Sequence, residues 1–156
     1  MASINDEQIR RFYAAFAERD GAAMEACYAP DVRFSDPVFP DLRGPEAGAM
    51  WRMLTGQAED LEIELAEHAA EGDTGSARWI ARYTFTRSGR PVVNDVRASF
   101  RFGPDALIRE HTDDFNFYSW ARQALGLSGL LLGWTPIVKG GVRKQARASL
   151  DAFIAE

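Results

Sequence analysis

With 156 residues, 46% hydrophobic and 26% charged, the chain has the balance of a soluble globular protein and is long enough for one substantial core. A formal net charge of -5 sets it against phosphate backbones, so nucleic acid is not an expected partner. Cys27 is the only cysteine, which excludes an internal disulfide and a cysteine-based zinc site.

The opening residues have no cationic stretch leading into an apolar run. No secretory signal is read, and a cytoplasmic location is expected. Ile9, Phe12 and Phe16 then recur at helical spacing behind Ser3 and Asn5, either of which can cap the first turn. Asp20-Gly21 breaks that helix, and Met24, Cys27 and Tyr28 mark a short second one. Ala29-Pro30-Asp31 ends it and hands over to a strand, Val32 to Ser35. Gly44-Pro45-Glu46 starts a third helix, with proline in the first turn and an acid near the N-terminus. Its Met50, Trp51 and Leu54 share one side.

Strands follow. Leu61, Ile63 and Leu65 alternate with acids, and Ala77, Trp79, Ala81, Tyr83 and Phe85 alternate with Arg78, Ile80, Arg82 and Thr84. Ser88-Gly89-Arg90-Pro91 reads as a hairpin turn into a partner strand, Val92 to Phe102. Gly103-Pro104-Asp105 then turns into a last strand, Leu107 to Phe117. Two helical pieces close the chain, Tyr118 to about Leu132 and Ile137 to Ile154. Between Leu125 and Val138 lies its greasiest segment, uncharged but interrupted by Gly126, Gly129, Gly133 and Pro136, so no membrane span is expected. Lys139, Arg143, Lys144 and Arg147 form a basic stretch that offsets an acidic body.

This order predicts an α+β fold with a strongly curved, mainly antiparallel sheet wrapped around the N-terminal helices, and a helical extension over about 118–156. A ligand would sit in the hollow between helices and sheet. On period-two alternation, Trp79, Tyr83, Phe85, His111, Asp113 and Phe115 share the inner face, and Phe34 and Trp51 complete the lining. These aromatics serve equally as core or pocket wall; Tyr83 also carries a hydroxyl that can orient a ligand. Ile80 and Val93 fall on the opposite face, the expected surface for a homodimer.

Two acids lie in apolar, strand-like surroundings, where lost hydration disfavours the charged form and makes a carboxyl usable as acid or base near neutral pH. Asp36 precedes Pro37 at a strand end, so its carboxylate either caps an Asx-type turn or serves as a general base in the hollow. Asp113 stands two residues from His111, and the two either share a proton or satisfy each other structurally. Asp113, Asp36 and His111 are chemically able metal ligands. No spacing matches a metal signature, so neither metal nor cofactor is expected.

The run Phe12-Tyr13-Ala-Ala-Phe16, Asp20-Gly21, Tyr28-Ala-Pro-Asp31-Val-Arg-Phe34-Ser-Asp36-Pro37 and Arg43-Gly44-Pro45, in this order of elements, resembles the SnoaL-like and ketosteroid-isomerase-like families. These belong to the group named for nuclear transport factor two. The resemblance covers roughly the first three-quarters of the chain and implies a cone-shaped, cystatin-like roll; with the helical extension, one domain over 1–156 is expected. It implies little about activity, because the fold hosts isomerases, cyclases, epoxide hydrolases and binders. Asp36 is similar to the proton-shuttling aspartate of the ketosteroid isomerases, themselves a well-known case of carboxyl tuning. That family's oxyanion tyrosine and second acid would fall at Phe12 and Ala98, which carry no donor. Asp113 is similar to the acid–base aspartate on the last strand of the SnoaL-like cyclases and of limonene-epoxide-hydrolase-like proteins. The Arg-x-Asp that the latter also need is absent between Ser76 and Phe102.

The expectation is therefore a cofactor-independent isomerase, cyclase or hydrolase acting on an apolar cyclic or polyketide-like small molecule. Asp113 would move the proton, with Asp36 as second acid or base. The alternative is a non-catalytic ligand-binding or dimerisation module on the same fold.

Overall fold

Ser3 opens the first helix, α1 (Ile4–Ala17), its hydroxyl accepting the Asp6 backbone N–H. The computed structural model describes residues 3–156. The apolar stripe of α1 is buried at Ile9, Phe12, Tyr13 and Phe16. Asp20 caps a short α2 (Gly21–Ala26) in the same way through Ala23 N–H.

The first strand, β1 (Tyr28–Ser35), starts four residues earlier than the sequence pattern predicts, and Tyr28 belongs to it rather than to the helix. Pro30 is tolerated there because the pairing shifts register between Tyr28 and Arg33, leaving proline outside the ladder. A two-residue β2 (Leu42–Arg43), too short for any periodicity, precedes α3 (Pro45–Gln57). Then come β3 (Glu62–Glu71), β4 (Thr74–Phe85), β5 (Arg90–Phe102) and β6 (Ile108–Asp114). Gly89, at φ +70°, turns the β4–β5 hairpin.

The six strands form one open sheet in the order β2-β1-β6-β5-β4-β3. All neighbours are antiparallel except β1 and β6, which run parallel and bring residues some eighty positions apart side by side: Phe34 opposite His111, Ser35 opposite Thr112. Register shifts between Tyr28 and Arg33, Leu65 and Glu67, and Arg101 and Phe102 interrupt the ladders, the kind of irregularity that bends a strand. On its inner face Phe16 packs between Trp51 of α3 and Trp79 of β4, with ring centroids 4.9 and 5.2 Å away.

The last strand ends at Asp114, short of the predicted Phe117. The Asn116 side chain takes the Ser119 N–H and starts α4 (Phe117–Leu125). The C-terminal region holds three helices rather than two, because Gly126, at φ +66°, separates α4 from α5 (Leu127–Leu132). Thr135 then caps α6 (Pro136–Ala155). Phe117, Trp120, Ala121 and Ala124 of α4 pack on Val92 as a second apolar cluster.

Candidate active site

Strand alternation puts His111 and Asp113 on the inner face of β6, opposite Phe100 and Ala98 of β5. The small Ala98 leaves space beside the carboxylate. Both β6 side chains are buried, His111 at 1% and Asp113 at 3% exposure. Their contacts form a chain. Trp51 Nε1–H donates to the Tyr28 hydroxyl at 2.8 Å, and that hydroxyl lies 2.7 Å from His111 Nδ1. His111 Nε2 lies 2.8 Å from Asp113 Oδ1, which also receives a longer contact from Trp79 Nε1–H at 3.5 Å.

Donor counting assigns the protons. The Tyr28 oxygen is already accepting from indole, and burial holds its own pKa well above the usual tyrosine value, so its proton points to Nδ1. Nδ1 is then an acceptor and Nε2 carries the hydrogen given to Asp113. A neutral imidazole satisfies every partner. Asp113 Oδ2 makes no hydrogen bond to the described residues and is the oxygen left for the cavity.

That cavity has a volume of about 760 Å³ and is bounded by Asp113, Trp79, Tyr83 and Phe85 of the sheet, with Trp51 from α3 and Phe115 after β6. The C-terminal helices wall it too, through Trp120 and Leu125 of α4 and Val142, Ala146 and Ser149 of α6. Size and apolar lining suit a small organic ligand.

Asp36 lies at the same cavity. Its Oδ1 accepts the Val38 and Phe39 N–H groups at 2.7 and 2.5 Å, the Asx-turn arrangement, so the turn role and the position at the hollow coexist. Burial pushes its carboxyl up to about 7, opposed by the Phe39 N–H and reinforced by the charge of Asp113. From α6, Arg143 Nε donates to the Pro37 carbonyl at 2.8 Å and fixes the helix against this turn.

Two expected lining residues lie elsewhere. Phe34 is 1% exposed and packs edge-on against Trp51 and His111, a core position outside the cavity wall. It pairs with His111 across the parallel strands, and that neighbour leaves it no open side. His111 likewise is absent from the cavity wall and sits behind Asp113, its Nε2 2.8 Å from the carboxylate.

Sequence reasoning missed Tyr28, whose link to His111 depends on the parallel pairing. It missed Trp120 as well, whose Nε1–H donates to the Tyr83 hydroxyl at 2.8 Å. With its oxygen so engaged and its pKa raised by burial, Tyr83 keeps a proton to offer a ligand. Tyr13, 2% exposed, has a hydroxyl without a partner among the described residues. Burial first, then the charge of Asp113, holds it protonated. Among the described residues no three His, Cys, Asp or Glu side chains gather as a metal site would require.

A family model described as the SnoaL-like domain matches residues 9–111, a span that includes Asp36 and stops just short of Asp113. A search of curated proteins returns no match. Solved structures align over most of the chain. A protein from Catenulispora acidiphila with a ketosteroid isomerase-like fold, in complex with trimethylamine, is 19% identical, covering 83% of this chain and 98% of its own, at a TM-score of 0.68. A candidate polyketide cyclase from Xanthomonas campestris pv. campestris is 23% identical over 77% of this chain and 96% of its own, at 0.65. An LEH-like epoxide hydrolase from M. tuberculosis is 18% identical over 84% and 97%, at 0.66. At these identities the likeness is one of fold.

Proposed function

The chain belongs to the SnoaL-like domain family, and on that footing we propose that it is a cofactor-independent acid–base catalyst acting on an apolar, cyclic or polyketide-like small molecule. One observation carries the reading: two carboxyls, Asp113 and Asp36, face a single apolar cavity, and burial holds one of them near pKa 7. Asp113 Oδ2 takes a proton from a carbon or hydroxyl activated by a neighbouring carbonyl. The Tyr83 hydroxyl hydrogen-bonds the oxygen on which charge gathers. Asp36, which exchanges its proton near neutral pH, returns one to the product. Isomerisation and ring closure need only these moves. Hydrolysis needs a water in the same place.

The test is proton–deuterium exchange at the activated carbon of a bicyclic enone or hydroxyquinone, followed by NMR. Wild type exchanges the proton and Asp113→Asn does not. Exchange by Asp113→Asn at the wild-type rate overturns the proposal.

A second reading, a non-catalytic binding module, is favoured by Phe12 and Ala98, both buried and without a donor. Tight ligand binding with no exchange by wild type decides for it.

A further inference from the structure

The surface made by α5 and the start of α6 is unlike the rest of the molecule. Gly129 and Gly133 are the α5-side residues turned to α4. A Cβ at Gly129 would collide with the Ala121 carbonyl, and one at Gly133 would collide with the Gly129 carbonyl and crowd the Ala121 methyl. With glycines on the packed side, the larger residues are left outside. Leu127 is 71% exposed, Leu131 59%, Trp134 73% and Ile137 84%, with Leu130 and Leu132 beside them. Among the described residues the other exposed large apolar side chains, Ile4, Leu54, Val93 and Ile154, are distant from this run in sequence.

Charge singles out the same region. From Phe115 to Leu150 there is no Asp or Glu, although the chain as a whole carries -5. Arg143 is committed to the Pro37 carbonyl and Arg147 to Glu46 and Asp151. Arg122 on α4 and Lys139 and Lys144 on α6 form no ion pair among the described residues. Lys139 lies over the Phe117 ring at 5.7 Å.

We infer that α5 and the α5–α6 corner are a docking surface for an anionic phospholipid bilayer, lying in the interface without crossing it. Leucines and a tryptophan flanked in the sequence by cations that have no acidic partner among the described residues match the two halves of that interface: acyl chains take the apolar side chains and phosphates take the cations. No helix among the described residues is long and apolar enough to span a membrane. A second copy would bring the same acid-free, cation-bearing segment against itself, whereas an anionic bilayer supplies the negative charge that segment lacks. The two helices on either side of α5 in the chain, α4 and α6, supply Trp120, Leu125 and Val142 to the cavity wall. An apolar ligand then reaches the cavity from lipid. That consequence rests on the proposed function; the docking itself does not.

The experiment is co-sedimentation of the 156-residue chain with vesicles of phosphatidylcholine alone and of phosphatidylcholine mixed equally with phosphatidylglycerol. Wild type partitions onto the mixed vesicles, and added salt weakens it. Leu131→Glu and Trp134→Glu each lower that partitioning roughly tenfold or more, as expected from losing one buried apolar side chain. Arg122→Gln/Lys139→Gln/Lys144→Gln removes the preference for the mixed vesicles. Unchanged thermal melts by circular dichroism show that these surface variants fold. Failure of wild type to bind, equal binding to both vesicles, or full binding by Leu131→Glu overturns the inference. Absent vesicle binding together with a dimer that Leu131→Glu dissociates assigns the surface to a second copy instead.

Discussion

His111 Nε2 lies 2.8 Å from Asp113 Oδ1, and the Tyr28 hydroxyl lies 2.7 Å from the other nitrogen of the same ring. The imidazole is held from both sides inside an aromatic shell, with Phe100 at 4.4 Å and Phe34 at 5.0 Å between centroids. One oxygen of Asp113 is therefore fixed by protein and the other faces ligand space. A carboxylate held so rigidly needs little reorganisation to accept a proton.

Asp113→Asn keeps the size of the side chain and an oxygen for His111 but cannot exchange a proton. The expected result is a loss of turnover of about 10²- to 10⁴-fold, the usual range for a general base, with ligand affinity changed little. Steady-state kinetics beside calorimetric titration of the same ligand separates the two effects.

Tyr28→Phe leaves the Trp51 N–H and His111 Nδ1 without partners in a buried site. A cost of about 1–3 kcal/mol in urea unfolding is expected. His111→Ala adds a cavity to the same loss, and about 2–5 kcal/mol is expected. Equal stability for wild type and Tyr28→Phe contradicts the hydrogen-bond chain.

The Asp36 carboxyl is raised from 3.8 to about 7 in the fold. Between those values the native state holds a proton that the unfolded chain has released, so its contribution to stability is complete below pH 3.8, falls as pH rises toward 7 and stays lost above. Asp36→Asn keeps the turn acceptor and escapes the penalty. At pH 8 the variant is expected to exceed wild type by up to about 4 kcal/mol, three units at ~1.4 kcal/mol each, and to match it near pH 4. Urea denaturation of both proteins across this range is the check, and a difference independent of pH refutes the tuning.

Homodimerisation is expected through the outer face of the sheet. Val93 there is 51% exposed, and Arg78 with Asp95 and Arg82 with Glu64 supply ion pairs around it. Light scattering at micromolar concentration should give twice the chain mass, and Val93→Glu should give the monomer. A monomeric wild type excludes this contact.

Much of the architecture was legible in local pattern. The spacing of Ile9, Phe12 and Phe16 behind Ser3 defines α1, and the alternation from Ala77 to Phe85 defines β4 and its inner side. Asp36 was legible as a turn or a cavity residue, but not as both. One oxygen serves the backbone while the chain reversal turns the group toward the hollow.

By itself the sequence determined the longer elements, though not β2 or the break between α4 and α5, and which side of β4 and β6 turns inward, because helix and strand periods are local properties of the backbone. Depth along the inner face was decided only in three dimensions. Parallel pairing of β1 with β6 set Phe34 and Tyr28 around His111 and closed them off from the cavity, though alternation alone gives Phe34 and Asp113 the same inward sense. The docking of α6 through Arg143 made the C-terminal extension a cavity wall, and the glycines of α5 sent its leucines outward. Each outcome depends on which distant surface a segment meets, and no local period encodes that.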